Sequence, residues 1–218
     1  MVAHAEFPEP STSPHFAVLV AMRVRGVLST EALAAATELD PLAVRDVLVD
    51  VSGSAHVRQH ATTPAGWALT AQGRRHAEDL MMREIDRMGA LREVLAAYRD
   101  FLGLNPALLK VCSNWQVRID STGTEVVNDH DDAQYDASVL VRLGDLHAQA
   151  LPVLDDLGAT LGRFGGYRER LTYAWDRVQS GDVEWFTKPT IDSYHTVWFQ
   201  LHEDLLASLG RQRNDEAR

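Results

Sequence analysis

The chain has 218 residues, 45% hydrophobic and 24% charged, an ordinary balance for a globular protein and enough apolar material for one large core or two small ones. A net charge of −10 argues against a general nucleic-acid binder, and no apolar run approaches the ~20 residues of a membrane span. The single cysteine, Cys112, excludes an internal disulfide, so a cytoplasmic protein is expected.

The charge is unevenly spread. Residues 1–75 hold six basic and seven acidic side chains, leaving 15 basic against 24 acidic ones downstream. Residues 1–13 carry Glu6 and Glu9 without a basic n-region, so they read as a disordered leader and not as a secretory signal.

Residues 14–25 predict a helix with Phe16, Leu19, Val20 and Met22 on one face, ended by Gly26. Ser29 or Thr30 caps a second helix over 31–37, whose alanines allow close packing. Residues 38–40 turn the chain. Asp40 then Pro41 is a start signal, an N-cap followed by proline at the first helical position. The third helix, 41–51, is expected to bury Leu42, Val44, Val47, Leu48 and Val51, with Ala43, Arg45, Asp46 and Asp50 outward. Ser52-Gly53-Ser54 ends it. Residues 55–60 and 66–70 alternate like two short paired strands, with 62–66 as their tip, and Thr70 caps a further helix beginning near Gln72.

Three helices, a small hairpin and an exit helix make the winged helix-turn-helix plan, expected over 14–75. The run GWALTAQGRR resembles the strand-then-helix ending of many bacterial winged-helix transcriptional regulators. That resemblance covers residues 15–80 and implies a module that reads DNA. On this reading Arg45 contacts a base, and Arg58, Arg74 and Arg75 contact phosphates. Asp46 and Asp50 on the same outer face repel phosphates, which leaves a protein-docking role open.

From 72 to 102 the pattern is one long helix or two in line. Met81, Ile85, Met88, Leu91, Leu95, Tyr98 and Leu102 recur at spacings of three and four. A linking helix over 76–104 that pairs two subunits is the expectation, with packing on the chain's own second domain as the alternative. Residues 105–211 predict an α-helical bundle that binds an effector or dimerises. In it, Asn105-Pro106 starts a short helix, and an irregular stretch with room for a small hairpin follows. Asp131 or Asp132 then starts a long helix with Tyr135, Val139, Leu143, Leu146, Ala150 and Leu154 inward, kinked or broken at Pro152. Gly165-Gly166 separates it from a helix over 167–178, and SGDVEWFTKP is a loop. The last helix, capped by Asp192 or Ser193, carries Tyr194, Trp198, Leu201, Leu205 and Leu209 and ends at Gly210, before a polar tail at 212–218. The fold class is therefore mainly α.

Trp115, His130, Trp175, Trp185, His195, Trp198 and His202 are the candidate lining of an effector pocket, although core packing explains the tryptophans equally well. Asp192, His195 and His202 with His130 or His147 are the candidate metal ligands, but no two of these histidines stand three or four apart, and no metal or other cofactor is assigned. No nucleophile–base motif or phosphate-binding glycine loop occurs, so no enzymatic activity is expected. Cys112 reads as a core thiol.

A second resemblance rests on NDHDDAQYDASVLVRL and RLTYAWDRVQSGDVEWFTKPTIDSYHTVWFQLHEDLLASLG. These runs look like a C-terminal module of short actinobacterial pyruvate phosphate dikinase-like proteins. The nucleotide-grasp and phosphohistidine domains of those proteins are not in this chain, so dikinase activity does not carry over. The resemblance implies an accessory role beside a phosphoenolpyruvate/pyruvate phosphotransfer enzyme. The expectations are thus a homodimeric regulator of double-stranded DNA with a small-molecule effector, or such a docking protein, and no membrane partner.

Overall fold

The computed structural model describes residues 13–61, 66–120 and 122–215. Among them the chain is mainly helical, with two small antiparallel hairpins, and no helix is long and apolar enough to cross a membrane. It divides into two compact units, residues 1–91 with 200–218, and residues 92–199. The expected leader and wing tip fall outside the described residues, apart from Ser13 and Gly66 at their edges.

Local chemistry sets the first unit's elements. Ser13 accepts from the Phe16 N–H at 3.1 Å and Pro14 follows it, so helix α1 (Pro14–Arg25) starts where both signals coincide. Gly26, at φ 82°, ends it in a conformation that side-chain-bearing residues avoid. Ser29 caps α2 (Thr30–Thr37) and Asp40 caps α3 (Pro41–Gly53), with Glu38 left-handed between them. Helix α3 runs through Ser52 and Gly53, two residues past its expected end, and turns at Ala55, at φ 57°.

Strands β1 (Val57–His60) and β2 (Gly66–Leu69) pair antiparallel, Val57 opposite Leu69. Leu28 and Trp67 exchange both backbone hydrogen bonds, at 3.1 and 2.8 Å, pinning the chain after α1 to β2. Gly66 permits this approach, since a Cβ there would lie 2.5 Å from the Leu28 carbonyl oxygen. Thr70 caps α4 (Ala71–Met88) and its hydroxyl also donates to the Ala55 carbonyl at 2.8 Å. Leu19, Met22, Leu33, Val44, Leu48, Val57 and Ala77 form the main core of this unit. A second cluster joins Phe16, Val24 and Met81 to Ala207 of the last helix.

Gly89, left-handed at φ 63°, separates α4 from α5 (Leu91–Gln116). The stripe expected to continue across this break does not. Met81 and Ile85 are buried in the chain's own core, whereas Met88 and Leu91 are exposed. The buried series along α5 is instead Val94, Tyr98, Phe101, Leu108, Val111 and Trp115.

Pro106 starts no new helix: it lies inside α5. Proline removes one helical hydrogen bond there and costs about 3 kcal/mol. Burial of Phe101 and Leu108 on either side, each contributing about 1.5–3 kcal/mol, offsets that loss. Asn105 is anchored too, accepting from the Trp198 indole at 3.1 Å.

In the second unit β3 (Val117–Ile119) and β4 (Glu125–Val127) close over a turn in which the Asp120 carboxylate accepts from the Thr122 and Thr124 N–H groups. Asp132 caps α6 (Ala133–Thr160), which passes through Pro152 without ending, and Val139, Leu143, Leu146, Ala150 and Leu154 are buried as expected. Gly165 and Gly166 do not separate helices. They form the first turn of α7 (Gly165–Gln179), close enough that a Cβ on Gly158 would touch Gly165 at 3.1 Å. The expected loop contains a single helical turn, α8 (Glu184–Thr187). Ser193 accepts from the Thr196 N–H at the start of α9 (Tyr194–Ser208), while Asp192 pairs with Arg170 at 3.0 Å. Residues 194–199 of α9 belong to the second unit and the remainder to the first.

One buried ionic group ties the first unit together. The Arg23 side chain, only 7% exposed, donates to Glu78 at 2.7 Å and to Glu203 at 3.1 Å, and Arg213 reaches Glu203 at 2.8 Å. Burial raises the Glu203 pKa, but the hydrogen bonds and charges of Arg213 and Arg23 outweigh it and hold the carboxyl below the usual range. Arg23→Ala takes this cation from Glu78 and leaves Glu203 with Arg213 alone, and a loss of about 3 kcal/mol is expected in urea unfolding. Because the folded-state pKa of Glu203 is depressed, its contribution is complete above the ordinary Glu value of about 4.3 and is lost as pH falls through the lower folded value. Unfolding followed from pH 6 to pH 3 is expected to show this loss, and Arg213→Ala to shrink it.

Candidate nucleic-acid interface

Helix α3 is held from one side. Val44, Val47, Leu48 and Val51 are buried and bind it to α1 and α2, while Leu42, Arg45, Asp46, Val49 and Asp50 are exposed. Two of these exposed residues are large and apolar. Leu42 was expected inside, yet it is 65% exposed, because it stands two residues before Val44 and so about 200° around the helix from the buried stripe. Val49, 74% exposed, is a second large apolar side chain on the outer face. Sequence alone could have located both by extending the Val44–Val51 periodicity strictly.

Arg45 points outward, and its charge reaches Glu31 in the first turn of α2. The backbone N–H of Glu31 and the Ser29 hydroxyl hold the Glu31 carboxyl below its ordinary range, and Arg45 adds to the effect. Asp46 is exposed beside it. Asp50 is bonded to His15, Oδ2 to Nε2, at 2.8 Å.

Arg58 is exposed on β1, opposite Ala68. Arg74 and Arg75 are exposed near the start of α4, where the helix dipole disfavours cations and an external anion would be welcome. None of these three arginines makes an ion pair among the described residues. All four candidate arginines and the hairpin lie within the first unit.

Gly73 sets the position of Arg74 and Arg75. A Cβ there would fall 1.9 Å from the His56 carbonyl oxygen, so the helix start rests directly on the backbone leading into β1. That carbonyl also accepts from the Thr70 N–H at 2.9 Å.

The aromatic and histidine candidates of the second unit separate into local groups. Trp115 and His130 lie together, ring centroids 4.5 Å apart, with Phe186 on the other contact of Trp115 at 5.4 Å. His130 Nδ1 is bonded to Asp136 at 2.9 Å, and the buried Asn128 links Asp136 to the Trp115 carbonyl. Trp175 meets His147, whose pKa burial pulls down, with Asp176 opposing and Arg168 reinforcing the shift. Trp185 packs on Tyr173 beneath Arg177. Trp198 stacks on Phe101 at 4.7 Å. His195 is half-buried at the start of α9, and His202 is buried on the part of that helix belonging to the first unit. The Cys112 thiol is pushed up to about 12 by burial, which makes it a poor nucleophile.

Comparison with protein-family models, with curated proteins and with solved structures found no match. The arrangement of α3, the hairpin and the arginines therefore rests on its own geometry. Gly73→Ala is expected to push α4 away from His56 and destabilise the unit by about 1–3 kcal/mol in chemical unfolding. Amide resonances of residues 56–60 should shift with it, while those of α6 and α7 stay in place.

Proposed function

We propose that this chain is a cytoplasmic, dimeric winged helix-turn-helix transcriptional regulator that binds double-stranded DNA, and that its second unit serves effector binding or pairing. The reading assigns it no catalytic step. The observation that carries it is the state of α3, clamped by its inner face, bare on its outer face and carrying Arg45 there, with a two-stranded hairpin beginning four residues after it. A helix so held suits insertion into a major groove, the hairpin then serving as the wing. Arg45 suits a guanine edge and Asp46 a cytosine amino group, while Arg58, Arg74 and Arg75 suit phosphates. Exposed Met88 and Leu91 offer an apolar patch for pairing two copies. A net charge of −10 makes long-range steering weak, so affinity rests on these close contacts.

One observation favours a second reading. Leu42 and Val49 put two large apolar side chains on the same outer face, and a protein surface would cover both. On that reading the chain docks on a phosphoenolpyruvate/pyruvate phosphotransfer enzyme and touches no DNA.

Fluorescence anisotropy with DNA from upstream of the chain's own gene separates the two. Salt-dependent, sequence-selective binding supports the regulator. Its absence at every effector condition, together with co-purification of a phosphotransfer enzyme, supports the docking protein. Arg45→Ala is expected to lose about 1–3 kcal/mol of operator affinity and to relax specificity at one base pair. Arg58→Ala is expected to weaken all sequences alike and to lower the salt slope by about 0.9.

A further inference from the structure

A cavity of about 260 Å³ lies between α1, α3 and the start of α4. Its apolar lining comes from Phe16, Leu19, Val51 and Leu80. Its polar lining is His15, Asp50, His56 and His76, with serine hydroxyls at the edge. Asp50 is the one carboxylate among these residues, and no lysine or arginine lines the cavity among the described residues.

Three further features set its electrostatic character. The carbonyls of Asp50, Val51 and Ser52 end α3 beside it, accepting from Ser54, His56 and Ala55, and a helix C-terminus carries partial negative charge. His56 and His76 stack at 4.4 Å with ring planes 14° apart, an arrangement that opposes charging both rings. Burial and the neighbouring His56 hold His76 below its ordinary pKa, against a smaller opposing pull from Asp79 and with Arg83 acting in the same direction. Asp50, whose Oδ2 is bonded to His15, is thus the one carboxylate of the wall, with no lysine or arginine beside it among the described residues. A carboxylate or phosphate would meet Asp50 here and no lysine or arginine. A coordinated metal is not favoured, since no group of three ligating side chains among the described residues has the geometry for one.

We infer that this cavity binds a small organic ammonium ion, its apolar body on Phe16, Leu19, Val51 and Leu80 and its charge on the Asp50 carboxylate. An amine with a single aromatic ring matches the volume, which is below that of common drug-sized sites. The Asp50 side chain is 70% exposed, so its ion pair supplies selectivity more than affinity. Asp50 and Val51 belong to α3, so an occupant bears on the helix that presents Arg45. Binding itself does not depend on α3 reading DNA.

The test is a titration of the full chain, without DNA, with benzylamine, benzyl alcohol and benzoate at pH 8, followed through the histidine ring resonances. Benzylamine is expected to shift His56 and His76 saturably and to bind about fivefold tighter than the alcohol, the reach of one exposed ion pair. Benzoate is expected not to bind. Asp50→Asn, an exposed and conservative change, should bring the amine down to the level of the alcohol while the alcohol is unaffected. Benzoate binding as tightly as the amine, an unchanged preference in Asp50→Asn, or no saturable shift of His56 and His76 would each overturn the inference. Because no DNA is present, the outcome is separate from whether the chain is a regulator.

Discussion

The Arg23 guanidinium is the point on which the first unit depends. It sits almost out of water on α1 and is satisfied by two carboxylates, Glu78 on α4 and Glu203 on α9, the latter 180 positions away in the chain. A lone buried charge is prohibitively costly, so the three helices must arrive together or the arginine must leave the interior. Hydrophobic contact between Phe16, Val24, Met81 and Ala207 brings the same helices together. That contact is non-directional, whereas the ionic group admits one alignment.

The sequence revealed most where the cause is local. Ser13 before Pro14, Ser29, Asp40 before Pro41, and Thr70 each act on an N–H two or three residues away, and each marks a helix start in the structure. The inner face of α6 was legible for the same reason, since Val139 through Leu154 repeat at helical spacing. What was not legible is set by distant partners. Pro106 continues a helix because residues around it are buried elsewhere, and Leu28 pairs with Trp67 through backbone groups that carry no sequence signal. Arg23 looked like any last-turn arginine of α1, because its two carboxylates lie far along the chain.

The candidate interface divides in the same way. The outward Arg45, Asp46 and Asp50 follow from the period of α3, and so does the buried stripe behind them. The exposure of Leu42 and Val49 follows from that period too, yet counting every apolar residue as a core residue hides it. Gly73 was visible as part of a motif, but its reason, a carbonyl where a Cβ would stand, needs the fold. The face that results is chemically mixed, two apolar groups around one cation and one anion, beside the His15-bonded Asp50. A partner that satisfies all four must offer both methyl-like surface and a paired donor and acceptor.

The first unit is built from two stretches of chain, with the whole of the second unit inserted between them. During synthesis, residues 92–199 emerge as a continuous piece before the residues that bring Glu203 and Ala207 to α1 and α4. Until then Val24, Met81 and Arg23 lack part of their cover, and the incomplete face is open to chaperones or to another nascent copy. Closing so long a loop adds an entropic delay that grows only slowly with its length. The stretch that completes the first unit is thus made only after the whole of the second.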